Sequence, residues 1–430
     1  MRRFSLIAAL ALLGCGEATL SPQRPPNLVL IIGDDHGYPD FGFMGSPYVQ
    51  TPRLDRLARE GTLFTRGFTT ASVCRPSLRS LLTGLHPIQW DFRVEQLRRE
   101  GTRRPPLEQI RDFATLPRRL AQRGYASFQG GKYWEASYAL GGFTHGMQDA
   151  GEGPHSSGSL GRTTMEPLYE FIDAHREHPF FVWFAPKLPH VPHDAGPRYR
   201  SRYENADLTT AAIAYYANIT RFDDVVGQLL DYLEANGLRK STLVVYLADN
   251  GWDQGPRAPG RKSRDGPKGK TSMHELGFRT PIIFSWPDRV GAGVVRDELV
   301  SSVDLMPTLL DYAGAEIPAE LPGHSLRPVI EGTGPWTRSA VIGGMSLAAH
   351  RYSEDPTPDA DPRAPALFLR SSRWRYIWYP ELGRHELYDL DADSDEQHDV
   401  VEQNRVLATL FQAQIQRWQV EMTRPLVNEP

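Results

Sequence analysis

Cysteine is nearly absent from this chain: only Cys15 and Cys74 occur in 430 residues. Two thiols cannot build a disulfide framework, so the fold rests on its hydrophobic core and each cysteine has a chemical role open to it. A basic excess is missing too. The net charge of −4 argues against a generic nucleic-acid binder, because nothing in the balance would hold a polyphosphate. There is no low-complexity block, and with 40% hydrophobic and 23% charged residues the composition is that of a globular protein. The length suits one large α/β domain plus a smaller one.

The N-terminal apolar run, Phe4 to Leu13 behind Arg2 and Arg3, is too short to span a bilayer and reads as a secretory signal over residues 1–15. Leu12-Leu13-Gly14-Cys15 resembles the bacterial lipobox, which implies a lipid on Cys15 after cleavage. The competing reading is an ordinary cleaved signal with Cys15 discarded. Residues 16–26, with Ser21-Pro22-Gln23-Arg24-Pro25-Pro26, then form an extended tether. An exported protein is expected, periplasmic or anchored at the outer membrane, touching the membrane only through that lipid.

Three continuous apolar runs, Asn27–Ile32, Phe180–Phe184 and Leu243–Ala248, have the pattern of parallel strands buried on both faces. Open α/β sheets place ligands at the carboxyl ends of such strands. Asp34-Asp35 follows the first run and Asp249-Asn250 the third. These four oxygen donors suit Ca²⁺, or Mg²⁺, and disfavour zinc. Taken alone, Asp34-Asp35 reads more readily as a turn and cap. A shorter strand, Ala126–Gln129, delivers Lys132, whose plain reading is a solvent lysine. The second long run leads into a proline-stiffened loop carrying His190 and His193, able to ligate a metal, transfer protons or only hold structure. From Arg257 to Lys270 six basic residues crowd a loop with a single acid, Asp265, which by default is solvated.

Cys74 opens the stretch around which these features gather. After Pro76 and Ser77, Leu78, Leu81 and Leu82 have helical spacing and Gly84 is placed as a stop, so the cysteine falls at a helix N-terminus. There the macrodipole favours an anion or a lowered thiol pKa, while the bland alternative is a buried structural cysteine.

Cys74, Pro76, Ser77 and Leu82-Thr83-Gly84 resemble the signature of the type I sulfatases. Ordered likenesses continue at Asp34-Asp35, Gly131-Lys132, Pro189-His190, Asp249-Asn250-Gly251 and Lys270 before Glu275, so the resemblance runs from Asn27 to about Val400. It implies a fold like alkaline phosphatase: a large, mostly parallel, mixed α/β sheet sandwiched by helices, with a small C-terminal α+β subdomain. It implies a catalytic domain over residues 27–335 and a C-terminal one over 336–430. In that family the cysteine is matured to formylglycine by a dedicated generating enzyme, and its hydrate attacks the sulfur of a sulfate ester. The resemblance further implies a cation on Asp34, Asp35, Asp249, Asn250 and position 74. Lys132 and Lys270 would then hold the sulfate and His190 would protonate the leaving alcohol.

Two positions depart from the family. Leu78 stands where arginine is usual, with Arg79 or Arg75 as substitutes, and Trp134 stands where a histidine is usual, with His145 or His36 as replacements. Substrates implied are sulfated small molecules or glycans. The alternatives are a phosphatase or phosphodiesterase of the same superfamily, and a lipid-anchored glycan-binding protein that has lost catalysis.

In the tail, Ala366–Arg370, Trp374–Trp378 and His385–Leu390 read as short antiparallel strands. A helix from Val400 to Met422 would follow, capped by Asp399, with Leu407, Leu410, Phe411, Ile415 and Trp418 on one face.

Overall fold

The computed structural model describes residues 24–147, 157–204, 206–252, 268–346 and 365–424. The N-terminal signal, Cys15, most of the tether, and Arg257, Arg261, Lys262 and Arg264 of the basic loop lie outside the described residues.

Nine strands form the main sheet among the described residues: β1 (Asn27–Gly33), β2 (Thr62–Phe68), β3 (Ala126–Gly131), β4 (His145–Gly146), β5 (Phe180–Ala185), β6 (Thr242–Ala248), β7 (Arg279–Ser285), β8 (Val294–Arg296) and β9 (Val300–Ser301). Their order is β4-β3-β5-β1-β6-β7-β2-β8, with β9 also on β2. From β4 to β6 every pairing is parallel. β7 runs antiparallel to both β6 and β2, which makes the sheet mixed, as expected.

The alternation hidden in the apolar run of β1 explains why the strand is buried on both sides. Leu28, Leu30 and Ile32 pack with Leu78, Leu81 and Leu82 of the Cys74–Thr83 helix in one core. Val29 and Ile31 pack with Phe222, Val226 and Leu229 of the Thr210–Ala235 helix in the other. Each such side chain contributes about 1.5–3 kcal/mol by leaving water, so the centre of the sheet cannot shift register without exposing one core.

A second sheet, β10 (Ala340–Ser346), β11 (Pro365–Ser371), β12 (Trp374–Tyr379) and β13 (Arg384–Asp389), is antiparallel throughout and paired in sequence order. The three strands expected here are present, and β10 is an addition. The final helix differs from expectation. It spans Arg405–Met422 after a short 3₁₀ turn at Glu402–Asn404. Asp399 does not cap it, because its carboxylate accepts from the Leu387 and Val401 N–H groups instead. Ile415 is buried and Leu407, Phe411 and Trp418 pack beside it, but Leu410 points outward at 61% exposure.

A helix, Pro87–Arg99, carries Arg93, Arg98 and Arg99, and its Trp90 stacks on Phe113 at 3.8 Å. No described helix is long and apolar enough to cross a membrane.

Candidate active site

β1 and β6 are neighbours, so the residues after them emerge side by side at the carboxyl edge of the sheet. The Asp249 N–H donates to the Gly33 carbonyl at 2.8 Å, and the Asp35 N–H donates to Asp249 Oδ1 at 3.2 Å. Asp35 takes a left-handed backbone (φ 60°), a conformation that few residues other than glycine, asparagine and aspartate accept without strain. Asn250 donates through Nδ2 to Asp35 Oδ1 at 2.8 Å, while its Oδ1 is buried with no protein partner. Asp34, Asp35, Asp249 and Asn250 are all buried.

Lys132 arrives from the end of β3, the next strand but one. Its N–H donates to the Ala185 carbonyl at 2.5 Å, and Gly131 before it has φ 88°, where an added Cβ would stand 2.1 Å from that carbonyl oxygen. The glycine is thus what lets Lys132 leave the strand at this angle. Lys132 Nζ donates to Asp34 and, at 3.0 Å, to Asp249 Oδ2. Burial, the largest single influence, weakens its proton, and the Asp249 and Asp34 carboxylates together outweigh it and hold the ammonium charged. From the opposite loop, Lys270 Nζ donates to Asp35 Oδ1 and Oδ2 at 2.7 and 2.8 Å. Its pKa is raised: burial opposes the charge, and the Asp35 carboxylate overcomes it. His190 Nε2 lies 3.5 Å from Asp35 Oδ2, and its Nδ1–H donates to the Val191 carbonyl at 2.8 Å.

Cys74 is the first residue of its helix, two positions earlier than the Pro76-Ser77 turn signal would start it, and Gly84 closes the helix in a left-handed conformation (φ 71°) as expected. Single ligand atoms of Asp34, Cys74 and Asp249 lie within 4.8 Å of one another. Those of Asp34, Asp35 and His190 do the same. A lowered thiol pKa does not result. Burial first, then the Asp249 carboxylate, push it up to about 12, since one helix terminus and Lys132 cannot offset a dry pocket lined with anions.

Three buried carboxylates face two ammoniums, which leaves an excess of one negative charge, and Asp34 is correspondingly raised to about 6, by burial first and by Asp249 and Asp35 after the opposing Lys132. A hard cation would relieve that excess and would use the orphaned Asn250 Oδ1. The residues fit such an ion.

Other expectations fall away from this cluster. Arg79 Nε bonds Glu135 Oε1 at 2.9 Å and its guanidinium covers the Trp90 ring at 4.1 Å, while Arg75 bonds the same carboxylate at 3.2 Å. Both arginines are therefore committed to Glu135, and Leu78 is simply core. His36 does not replace the family histidine: it is buried against Phe41, takes a hydrogen bond from Tyr246 and donates to the Asp40 carbonyl. His145 does not either, since it lies on β4 against His175. His193 packs against Tyr215 and Trp252. Glu135 and Asp223 are two buried carboxylates whose work the sequence did not disclose. Asp223 accepts from the Arg53 and Leu54 N–H groups.

The strand-end cluster of acids, the two lysines and a residue at a helix N-terminus sit on a mostly parallel sheet of the alkaline phosphatase-like fold. Residues 26–315 match the family described as Sulfatase, and residues 266–421 match the one described as N-sulphoglucosamine sulphohydrolase, C-terminal. The chain belongs to the sulfatase family and is a sulfuric ester hydrolase. Human arylsulfatase A is 28% identical over 464 residues, covering 92% of this chain and 86% of that protein. N-acetylgalactosamine-6-sulfatase of Sus scrofa is 31% identical over 376 residues, covering 76% and 70%. A solved structure in complex with its substrate D-glucosamine-2-N,6-O-disulfate superposes with a TM-score of 0.74 at 20% identity, covering 93% and 98%. The phosphonate monoester hydrolase of Agrobacterium radiobacter superposes with 0.69 at 17%, covering 92% and 96%, a likeness of fold alone. The family generally uses a metal ion and a formylglycine.

Proposed function

We propose that Cys74, matured to formylglycine by a generating enzyme, is the nucleophilic position. A divalent cation, Ca²⁺ in preference to Mg²⁺, is then held by Asp34, Asp35, Asp249 and Asn250. When present, these groups supply a Lewis acid and an aldehyde-hydrate hydroxyl of lowered pKa. Lys132, which is buried, and Lys270, which is part-buried, bind the ester's sulfate oxygens, both being already held in place by carboxylates, so little reorganisation is needed as charge develops. His190 protonates the departing alcohol through Nε2, because its Nδ1–H is committed to the Val191 carbonyl. The observation that supports this reading most is the convergence of position 74 with Asp34 and Asp249 within 4.8 Å.

The relatives' names speak for aryl and amino-sugar sulfates, so the substrate is a sulfated small molecule or glycan. We place the catalytic domain at residues 27–335 and the second at 336–430, and we read the chain as exported, with Cys15 lipidated and no nucleic-acid partner. Arg79 serves as a brace for Glu135 rather than as a substitute for the family arginine.

Turnover of an aryl sulfate by the matured enzyme tests the proposal. Cys74→Ala is expected to fall to background, and Lys132→Ala to lose about a hundredfold to a thousandfold in kcat, the usual cost of one preorganised charge partner. Turnover of an aryl phosphate in preference to the sulfate, or activity surviving in Cys74→Ala, would reject it.

A further inference from the structure

The structure leaves one large aromatic side chain in solvent beside a buried cation of the site. Trp134 is 47% exposed, while Lys132, two residues earlier, is 3% exposed. Lys132 Nζ lies 5.8 Å from the centre of the Trp134 ring. The loop is pinned on both sides of this tryptophan. Tyr133 is buried edge-on to Phe143, Glu135 is buried between Arg75 and Arg79, and the Ala136 N–H donates to the Leu107 carbonyl at 2.9 Å. Its neighbours are thus anchored while the indole forgoes the burial that ordinarily stabilises so large a ring. Val191, directly after His190, is likewise 51% exposed, so two side chains of the site have an exposed apolar neighbour.

We propose that Trp134 is a specificity-determining platform whose indole face stacks on the ring bearing the sulfate ester, an arene or the apolar face of a pyranose. This rests on Lys132 binding the sulfate, as argued above. A sulfate oxygen about 3 Å from Lys132 Nζ brings the ester's own ring within stacking reach of the indole. A polar histidine at this position would grip the anion. The tryptophan instead grips what the anion is attached to, so ring-borne sulfates are favoured over open-chain alkyl sulfates.

The test uses the matured, metal-loaded enzyme with an aryl sulfate, a sulfated monosaccharide and a linear alkyl sulfate. Trp134→Ala is expected to raise KM about tenfold on the ring substrates, with kcat within about twofold and the alkyl sulfate unaffected, and Trp134→Phe to recover most of the loss. An effect confined to the aryl ester, or to the sugar, supports the platform and identifies the ring. Equal losses on the alkyl sulfate, or an unchanged KM on both ring substrates, overturn it. Should the unmutated enzyme hydrolyse none of the three, the proposed function fails, and calorimetry of aryl sulfate binding to Cys74→Ala and to Cys74→Ala/Trp134→Ala decides the platform separately. A tenfold weaker affinity in the double variant sustains it, and equal affinities sink it.

Discussion

His86 shows how a single buried side chain ties stability to pH. It is 5% exposed and packs edge-on to Trp418 at 5.0 Å. Burial first, then Arg338 against a weaker pull from Asp304, hold its pKa at about 3, below the ordinary 6.5. A base whose folded pKa is depressed binds fewer protons folded than unfolded, so stability is intact above pH 6.5 and is lost as pH falls toward 3. One such group contributes a slope of about 1.4 kcal/mol per pH unit. His86→Asn, which keeps a side chain able to cap the helix from Pro87, is expected to flatten denaturant-derived stability by about 1 kcal/mol per unit between pH 5.5 and 4. An unchanged slope would exclude the assignment. At this scale the strand-end placement of Asp34-Asp35 and Asp249-Asn250 was legible, because the runs before them are too apolar to be anything but buried strands, although Asp34-Asp35 by itself reads as a turn and cap. Lys132 and Lys270 stood out only through family likeness, since nothing local distinguishes a site lysine from a solvent one, whereas His190 was already a candidate from its proline-stiffened strand-end loop. Glu135 was not legible at all: its partners Arg75 and Arg79 sit some 60 residues away and meet it only in the folded chain.

Among the elements, the Pro52–Arg59 helix illustrates a cap supplied from a distance. Thr51 is in the capping position, yet its hydroxyl donates to Asp55 and makes no cap bond. The free N–H groups are taken by Asp223 of the Thr210–Ala235 helix, from Arg53 at 3.0 Å and Leu54 at 2.8 Å. Asp223→Ala strands two amide donors and is expected to lower unfolding free energy by about 2 kcal/mol, with Asp223→Asn losing less because one oxygen can still accept. Equal stability of Asp223→Ala and the parent would refute the cap. The apolar spacing of Leu54, Leu57 and Ala58 is a local signal of this helix, whereas its cap comes from about 170 residues away and leaves no local trace. For the same reason the last helix starts at Arg405 rather than Val400: Asp399 had a better use in pinning β13.

Across the whole molecule, the two sheets are joined by a buried ionic knot. Glu275, five residues after Lys270, bonds Arg370 of β11 at 2.9 Å and lies 3.8 Å from Arg375 of β12, which is fully buried. Arg279 completes the set at 3.3 Å, and the Glu275 N–H donates to Glu396 at 2.8 Å. Removing one member leaves buried charge uncompensated, so Glu275→Ala should cost about 3–5 kcal/mol in urea unfolding. A loss under about 1 kcal/mol would mean that the knot does not hold the sheets together. The antiparallel tail could be read from its alternation, but the knot that docks it could not.

What carries the account is the identity of position 74 in the working enzyme, and mass spectrometry of the peptide spanning it tests that most directly. Protein produced with a formylglycine-generating enzyme is predicted to yield a peptide in which the thiol has become an aldehyde, with sulfatase activity rising in proportion to the converted fraction. Full activity in protein whose Cys74 is entirely unmodified would contradict it.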